Sequence, residues 1–250
     1  MSYIYEEKLV SSTKYNIKCP YQMTPKYVVI HDTANLASAY NEIAYMTRNN
    51  NQVSFHLAVD EEYAIQGLPF DRNAWAAGDG GNGDGNRNGI HIEICRPTHS
   101  NRDLYNKAEE NAVYVAARLL YKFNLNISRL KKHQDFSGKK CPNLILSENR
   151  WENFKYRVDW VLSAIKQGNI EADLTCGSTS LKDKNQFKSF KVKIICDSLN
   201  VRKEASFDSK IVQTVKRNEV FTIVDEKNGL YKLKSGVGWI SANSKYVKKL

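Results

Sequence analysis

Residues 168–186, GNIEADLTCGSTSLKDKNQ, divide the 250-residue chain into two parts of different character. The segment is rich in Gly, Ser, Thr, Asn and Asp and lacks sustained apolar periodicity, which is typical of a linker between two cores. A chain of this length, 42% hydrophobic and 26% charged, can bury a substantial core and still form a smaller second module. We therefore predict a first domain over residues 1–167, a linker over 168–186 and a second domain over 187–250.

The part before the linker alternates extended apolar runs, KYVVI, SFHLAV and GIHIEICR, with helical patterns. This alternation predicts an α/β domain in which helices cover a sheet. In residues 105–124, apolar residues recur at three- and four-residue spacing and predict one buried helix face, with Glu110 and Arg118 on the side facing water. A second helix is predicted in SENRWENFKYRVDWVLSAIK, where Ser147 is placed to cap the start.

The part after the linker consists of short alternating strands with turn signals, which favours a small all-β barrel. Asn228-Gly229 predicts a hairpin turn, because both residues accept a positive φ. The charge is concentrated here: residues 186–250 hold 14 Lys/Arg against 6 Asp/Glu, a surplus of +8 within a total of +10. The second domain therefore carries most of the positive field.

The remaining composition sets limits on location and redox state. The five cysteines are an odd number without the dense spacing of a disulfide-rich domain, so we expect reduced thiols. The amino terminus, MSYIYEEKLV, is acidic where a secretory signal would be basic, and no apolar run is long enough to cross a bilayer. We expect a protein made in the cytoplasm without a signal peptide and without membrane insertion.

Two fragments concentrate histidine and cysteine: VVIHDTA at residues 28–34 and HQDFSGKKCP at residues 133–142. His133 and Cys141 lack the spacing of a closed structural zinc site. A catalytic zinc needs only three protein ligands and keeps one position open for water, and His31, at a strand end, is available as the third. The residues alone leave hydrogen-bonded packing of the histidines as the commoner alternative.

The strand GIHIEICR places Ile90, Ile92 and Ile94 on one face and His91, Glu93 and Cys95 on the other. An unpaired carboxylate in apolar surroundings costs several kcal/mol, so Glu93 is a candidate functional residue. The alternative is an edge strand with Glu93 in solvent or paired with an arginine.

Four blocks, YVVIHDTAN, SFHLAVDEEYAIQGLPFDRNAWAAGDG, NGIHIEICRP and HQDFSGKKCP, carry a family resemblance over roughly residues 20–165. Their order and separations resemble those of the zinc-dependent N-acetylmuramoyl-L-alanine amidases of the amidase-2 type, which are similar to peptidoglycan recognition proteins and many phage endolysins. The resemblance implies a mixed central sheet flanked by helices, and one zinc ion bound by His31, His133 and Cys141.

The same resemblance implies two catalytic roles. Glu93 would take a proton from the attacking water and pass it to the departing amine, and Lys139 would stabilise the developing oxyanion. The alternative for Lys139 is a solvated loop lysine like its neighbour Lys140. His56 matches a usual family position and is predicted to contact substrate, with a hydrogen-bonded structural residue as the alternative; Trp75 is predicted to border a saccharide groove.

Three positions depart from the family pattern. Ala76 stands where many relatives have histidine, and Phe55 stands where some phage members have a catalytic tyrosine, which places more weight on Glu93. His91 stands where relatives commonly have glycine. It could narrow the cleft, tune Glu93 or offer an extra ligand, but we favour simple packing.

Residues 190–250 resemble bacterial Src-homology-3-like domains that tether wall enzymes, with LNVR near the start and GVGWI near the end. The resemblance implies binding to peptidoglycan through an aromatic-lined groove, for which Tyr231, Trp239 and Tyr246 are candidates, although Trp239 is as well suited to the core. A basic barrel also suits nucleic acid. We favour polyanionic wall polymers and expect no nucleic-acid partner.

Together these features predict an endolysin or autolysin that hydrolyses the amide between N-acetylmuramic acid and L-alanine in cell-wall peptidoglycan. Without a signal peptide, it would reach the wall after holin-type release or lysis, which favours a phage or prophage origin. Two alternatives remain: a wall-binding module without catalysis, for which the three ligands would have no purpose, and a metal-dependent nuclease.

Overall fold

The computed structural model describes residues 3–96, 101–175 and 189–250, and the chain divides into two compact units, Met1–Leu181 and Lys182–Leu250. Ile170 and Leu174 fall within the predicted linker, yet both are buried in the core of the first unit. That core therefore extends beyond residue 167. The part of the predicted linker from residue 176 onward lies outside the described residues, so the domain boundaries stay a prediction.

The described part of the first unit contains a mixed six-stranded sheet in the order β1-β4-β3-β5-β2-β6. Its strands are β1 (Ile4–Glu7), β2 (Tyr27–Asp32), β3 (Leu57–Val59), β4 (Tyr63–Gln66), β5 (Gly89–Ile94) and β6 (Leu130–Lys132). The β3–β4 pair is antiparallel and the other four pairs are parallel. The expected mixed sheet is confirmed.

Helices cover both faces of this sheet. They are α1 (Tyr15–Lys18), α2 (Ala39–Arg48), α3 (Asp84–Asn88), α4 (Arg102–Lys122), α5 (Gln134–Ser137), α6 (Asn143–Ser147) and α7 (Trp151–Lys166). The isoleucines of β5, Ile90, Ile92 and Ile94, pack into one core cluster with α4 and α7. Ala58 and Ile65 face the other way and pack with α2. The alternation follows from the two-residue period of a strand.

Helix α4 has the predicted apolar stripe, but two residues expected on its solvent side are buried. Arg118 is fully buried, where its Nη1 donates to the Tyr3 hydroxyl at 2.6 Å and its Nε donates to the Glu171 carbonyl at 3.1 Å. Glu110 is buried and pairs with Arg157 of α7. The prediction for these two residues was wrong because α4 packs against α7 as well as against the sheet, so its buried face is wider than the apolar stripe.

Ser147 does not cap the second predicted helix. Helix α6 ends at Ser147, and α7 begins at Trp151 after Asn149, whose φ is +54°. The hydroxyl of Ser147 donates to the Leu144 carbonyl instead. This break in the helical path, at a residue in the left-handed region, divides the predicted helix in two.

The described part of the second unit is a seven-stranded antiparallel sheet in the order β13-β7-β10-β11-β12-β8-β9. Its strands are β7 (Phe190–Ile194), β8 (Ser198–Arg202), β9 (Ile211–Lys216), β10 (Val220–Lys227), β11 (Leu230–Leu233), β12 (Trp239–Ser241) and β13 (Val247–Lys249). Asn228 and Gly229 have φ values of +53° and +72° and connect β10 to β11, as the predicted hairpin turn requires. The expected all-β character of this unit is confirmed.

Two expectations, one about membrane-spanning segments and one about the cysteines, can be compared with the described residues. Within them no helix is long and apolar enough to cross a bilayer. Cys19, Cys95, Cys141 and Cys196 are free, in agreement with the expected reduced thiols.

Candidate metal centre

The pairing of two central strands determines which side chains meet at the candidate site. β2 and β5 run parallel, in a register that pairs His31 with Glu93 and Val29 with His91. Because paired residues project from the same face, His31, Glu93 and His91 lie together, opposite the isoleucines of β5. On its other side β2 pairs with β6, and the chain leaving β6 places the backbone N–H of His133 against the Ile30 carbonyl at 3.2 Å.

The three predicted ligands converge. Nδ1 of His31 lies 3.0 Å from Nδ1 of His133 and 3.9 Å from Sγ of Cys141, and one ligand atom from each residue lies within 4.8 Å of the others. Nitrogen ligands of a tetrahedral zinc ion are themselves about 3.4 Å apart, so the arrangement has the required size. All three side chains are buried.

The chemical state of these donors suits a divalent cation. Burial, with smaller effects from His91, His133 and Lys139, holds the pKa of His31 well below its ordinary value; burial and Lys139 lower the pKa of His133. Both imidazoles are therefore neutral and able to donate a lone pair. Burial raises the pKa of the Cys141 thiol to about 12, and a bound cation would reverse this by stabilising the thiolate. Two nitrogens and one sulfur form a donor set typical of zinc.

Glu93 lies beside the three ligands, with Oε1 3.9 Å from Nδ1 of His31 and a side chain that is 17% exposed. Burial, followed by the charges of Glu42 and Asp32, raises its pKa to about 8. Oε2 is buried and has no hydrogen-bond partner among the described residues. An orphaned carboxylate oxygen next to three metal ligands is suited to a water molecule or a substrate group that enters from outside.

An open cleft of about 490 Å³ gives access to this cluster, a volume typical of small-molecule sites. The residues lining it include His31, Glu93, His133, Lys139 and Cys141, together with Phe55, Trp75, Ala76, Gly78 and Gly80. Lys139 is exposed. Two of the three departures from the family pattern, Phe55 and Ala76, therefore line the cleft.

Trp75 lines the cleft, and two contacts with neighbouring residues fix its position. Its indole N–H donates to the Ile17 carbonyl at 2.9 Å, and its ring contacts that of Tyr21 edge to face. The half-buried ring therefore presents one surface to the cleft without a free hydrogen-bonding group.

His56 is not in the cleft. It is fully buried, its Nε2 lies 2.9 Å from the Arg72 carbonyl, and its Nδ1 accepts the backbone N–H of His91 at 3.0 Å. Burial lowers its pKa to about 4. The structure thus favours the alternative, a satisfied structural residue, over the predicted substrate contact, because both ring nitrogens are already occupied.

His91 contacts a predicted ligand. Its Nδ1 lies 2.9 Å from Nε2 of His31, and its Nε2 lies 3.0 Å from the Gly85 carbonyl. Both contacts are polar, so the simple packing that we favoured from the sequence is an incomplete description of this residue.

Asp32 is a site residue that the sequence analysis missed. Its carboxylate accepts the backbone N–H groups of Asn143 and Leu144 at 2.7 and 2.8 Å, and Oδ1 lies 3.9 Å from Sγ of Cys141. Asp32 thereby attaches the segment that follows Cys141 to the end of β2. The available signal was an aspartate directly after a predicted ligand at a strand end.

The three candidate wall-binding aromatics in the second unit have different environments. Trp239 is largely buried, Tyr231 is half-buried with its ring 5.2 Å from that of Phe190, and Tyr246 is 40% exposed. Cross-strand pairing opposes Tyr231 to Ile240 and Lys232 to Trp239. Tyr231 and Trp239 therefore project from opposite faces of the sheet, and their role in one groove stays a prediction.

Family models match both parts of the chain. A model described as N-acetylmuramoyl-L-alanine amidase matches residues 21–144, and a model described as a bacterial SH3 domain matches residues 197–248. The solved structure of PlyL is 51% identical, with a TM-score of 0.60, and the match covers 63% of this chain and 97% of PlyL.

Curated relatives agree with these matches. The N-acetylmuramoyl-L-alanine amidase XlyB of Bacillus subtilis (strain 168) is 46% identical over 183 residues, covering 73% of this chain and 56% of XlyB. The N-acetylmuramoyl-L-alanine amidase CwlA of the same organism is 49% identical over 153 residues, covering 61% of this chain and 56% of CwlA. The chain thus spans a little over half the length of these relatives.

Proposed function

Because the chain belongs to the N-acetylmuramoyl-L-alanine amidase family of the amidase-2 type, we propose that it is a peptidoglycan hydrolase that cleaves the amide between N-acetylmuramic acid and L-alanine. The observation that carries this proposal is the convergence of His31, His133 and Cys141 in the lining of an open cleft, beside the orphaned oxygen of Glu93. A wall-binding module without catalysis would have no use for this arrangement.

The first unit would hold one zinc ion through Nδ1 of His31, Nδ1 of His133 and Sγ of Cys141. Zinc in such a site supplies a Lewis acid for the scissile carbonyl and lowers the pKa of a bound water to about 7. The neutral imidazoles and the single thiol leave one position of a tetrahedral site open, which is the pattern of hydrolytic rather than structural zinc.

Glu93 moves the proton in this proposal. Its raised pKa of about 8 is close to neutral pH, where a carboxyl group both accepts and returns a proton efficiently. Oε2 would accept a proton from the attacking water, and the same group would then protonate the departing amine of L-alanine. Phe55, which lines the cleft, has no hydroxyl to share this role.

Lys139 stabilises the charge that develops on the carbonyl oxygen. It is exposed at the cleft, two residues before Cys141, so its flexible side chain can approach a substrate bound above the ligands. An ammonium group placed there would donate to the tetrahedral oxyanion more strongly than to the planar carbonyl, which accelerates the chemical step.

The second unit would hold the enzyme on its insoluble substrate. Its match to a bacterial SH3 domain and its surplus of positive charge support binding to the anionic bacterial wall. Attachment raises the effective concentration of substrate at the cleft without adding catalytic contacts.

The test of the proposed reaction is mass spectrometry of purified cell walls digested by the full chain. We expect new L-alanine amino termini and intact disaccharides, and Glu93→Gln should lower their release by at least about a hundredfold. Glu62→Gln, at an exposed glutamate away from the cleft, serves as the matched control and should match wild type. Cleavage within the glycan or within the peptide stem would refute the amidase assignment.

Metal content provides a separate test of the zinc site. Wild-type protein should contain about one zinc per chain, and Cys141→Ser should lose it because a hydroxyl is a poor zinc ligand. Cys196→Ser changes a free cysteine of the second unit and should retain the metal. Equal zinc content in the two variants would exclude Cys141 as a ligand.

A further inference from the structure

A directed line of hydrogen bonds runs from the backbone into the candidate metal centre. It begins at the Gly85 carbonyl, which lies 3.0 Å from Nε2 of His91. It continues from Nδ1 of His91 to Nε2 of His31, which are 2.9 Å apart, and it ends at Nδ1 of His31, the atom that faces His133 and Cys141.

The positions of the hydrogens in this line follow from what each atom can do. A carbonyl oxygen only accepts, so Nε2 of His91 carries a hydrogen. Nδ1 of a neutral His91 is then an acceptor, and the hydrogen in the contact with His31 belongs to Nε2 of His31. A neutral imidazole has one N–H, so Nδ1 of His31 retains its lone pair, as a metal ligand must.

Contacts on several sides keep the His91 ring in place. The backbone N–H of His91 donates to Nδ1 of His56, and the imidazole rings of the two residues stack at 6.0 Å. Gly89 makes room for the ring: a Cβ at that position would lie 2.7 Å from the Gly85 carbonyl oxygen and 3.0 Å from Nε2 of His91, so a larger residue there would displace the ring or the carbonyl. The contacts with His56 and the Gly85 carbonyl hold the ring with its Nδ1 next to Nε2 of His31.

We propose that His91 is a positioning residue, which fixes the tautomer and the ring orientation of His31 before any metal binds, so that Nδ1 of His31 is presented as a ligand. This inference rests on the zinc site proposed above. A residue that only fills space would need neither an acceptor at Nδ1 nor a donor at Nε2, whereas His91 uses both. Partners of this kind commonly account for 10- to 100-fold in metal affinity.

Two variants separate positioning from packing. His91→Phe keeps an aromatic ring but removes the acceptor, which leaves the Nε2 hydrogen of His31 without a partner. His91→Asn is smaller but places a side-chain oxygen near the position of Nδ1. We expect His91→Phe to weaken zinc binding by about 10- to 100-fold, measured on the full chain by competition with a chromophoric chelator. His91→Asn should recover most of that loss.

Nitrogen-15 NMR of the metal-free wild-type protein tests the same inference without any variant. We expect protonated Nε2 and unprotonated Nδ1 in both His31 and His91. A His31 ring protonated at Nδ1 would overturn the proposal, as would a His91→Phe protein that is folded by circular dichroism and binds zinc as tightly as wild type.

The proposed zinc site can fail separately from the role of His91. Wild-type protein that binds no zinc would refute the site, while the NMR measurement would still decide the tautomers. Wild-type protein that binds zinc with the opposite tautomer would retain the site and refute the role of His91. If His91→Phe does not fold, His91→Asn and the wild-type NMR spectrum decide the question.

Discussion

Two neighbouring lysines, Lys139 and Lys140, allow the proposed oxyanion role to be compared with the behaviour of a solvated loop lysine. Lys139 and Lys140 are both exposed, but Lys139 lines the cleft. Lys139→Ala should lower kcat by about a hundredfold or more without loss of zinc, because the removal of one oxyanion donor commonly has an effect of that size. Release of amino termini from cell walls, assayed together with zinc content, measures both quantities.

Lys140→Ala is the matched control and should hydrolyse walls at the wild-type rate. If the two alanine variants lose activity equally, the effect comes from the charge of the loop as a whole. The specific oxyanion role of Lys139 would then be wrong.

The surroundings of some single residues could be predicted from the sequence, and those of others could not. The convergence of His31, His133 and Cys141 was predictable because the ligand chemistry of zinc restricts the residue types and four ordered blocks locate them. The hydrogen-bond partners of Asp32, His56 and His91 could not be predicted, because each of these residues bonds to neighbours from distant parts of the chain. A pattern along one strand gives the face of a side chain but not its hydrogen-bond partner.

Among the helices, a buried ion-pair network joins α4 to α7. Glu109 of α4 is almost fully buried and pairs with Arg150, just before α7, and with Arg157 within α7. Glu109→Gln would remove the buried carboxylate that both guanidinium groups share and leave each with one acidic partner, Glu148 for Arg150 and Glu110 for Arg157. We expect the free energy of unfolding of the first unit to fall by about 3–5 kcal/mol, measured by urea denaturation followed by tryptophan fluorescence.

Glu148 is the surface member of the same network and serves as the comparison. It pairs with Arg102 and Arg150, but its side chain is 35% exposed. Glu148→Gln should cost about 1 kcal/mol or less, because water screens exposed pairs. Similar losses in the two variants would show that burial does not control the strength of this network.

Acid should remove the contribution of the Glu148 ion pairs to stability. Hydrogen bonds from Arg102, and then from Arg150, lower its pKa from 4.5 to about 2. A carboxyl group whose pKa is lower in the folded state stabilises the fold above its ordinary pKa, and this stabilisation is lost as the pH falls through the lowered value. The stability difference between wild type and Glu148→Gln should be complete at about pH 6 and vanish near about pH 2. A difference that grows on acidification would contradict this assignment.

Secondary-structure elements were predictable where the local sequence alone determines the backbone conformation. The isoleucine alternation of β5 and the positive-φ turn at Asn228 and Gly229 follow from local geometry, and both are present. The outer face of α4 was not predictable in this way. Arg118 is buried there because it donates hydrogen bonds to Tyr3 and to the Glu171 carbonyl. These partners come from near the two ends of the first unit in sequence, so no pattern within α4 indicates them.

For the whole molecule, the proposed wall-binding role of the second unit predicts salt-dependent attachment. The surplus of +8 lies in residues 186–250, so binding of the full chain to purified walls should weaken as NaCl rises from about 50 to about 500 mM. Co-sedimentation measures the bound fraction. Wall binding that is insensitive to salt would mean that aromatic contacts rather than charge carry the attachment.

Charge-reversal variants test which of the two units carries the salt-dependent binding to walls. Lys245→Glu combined with Lys248→Glu changes two exposed lysines of the second unit and should release much of the bound protein. Lys107→Glu combined with Lys166→Glu makes the same change in net charge on the first unit and should release little. Equal release by the two pairs would assign the attachment to total charge.

The position of β2 between β5 and β6 has a consequence for the lifetime of a loaded centre. His31 belongs to a strand paired on both sides, so we expect the amide hydrogens of this strand to exchange with solvent mainly through global opening. Cys141 follows the short α5 and two exposed lysines, and we expect this segment to open locally at a lower free energy than β2. If the proposed site holds zinc, release of the metal should therefore be controlled by local opening of residues 133–141 rather than by opening of β2.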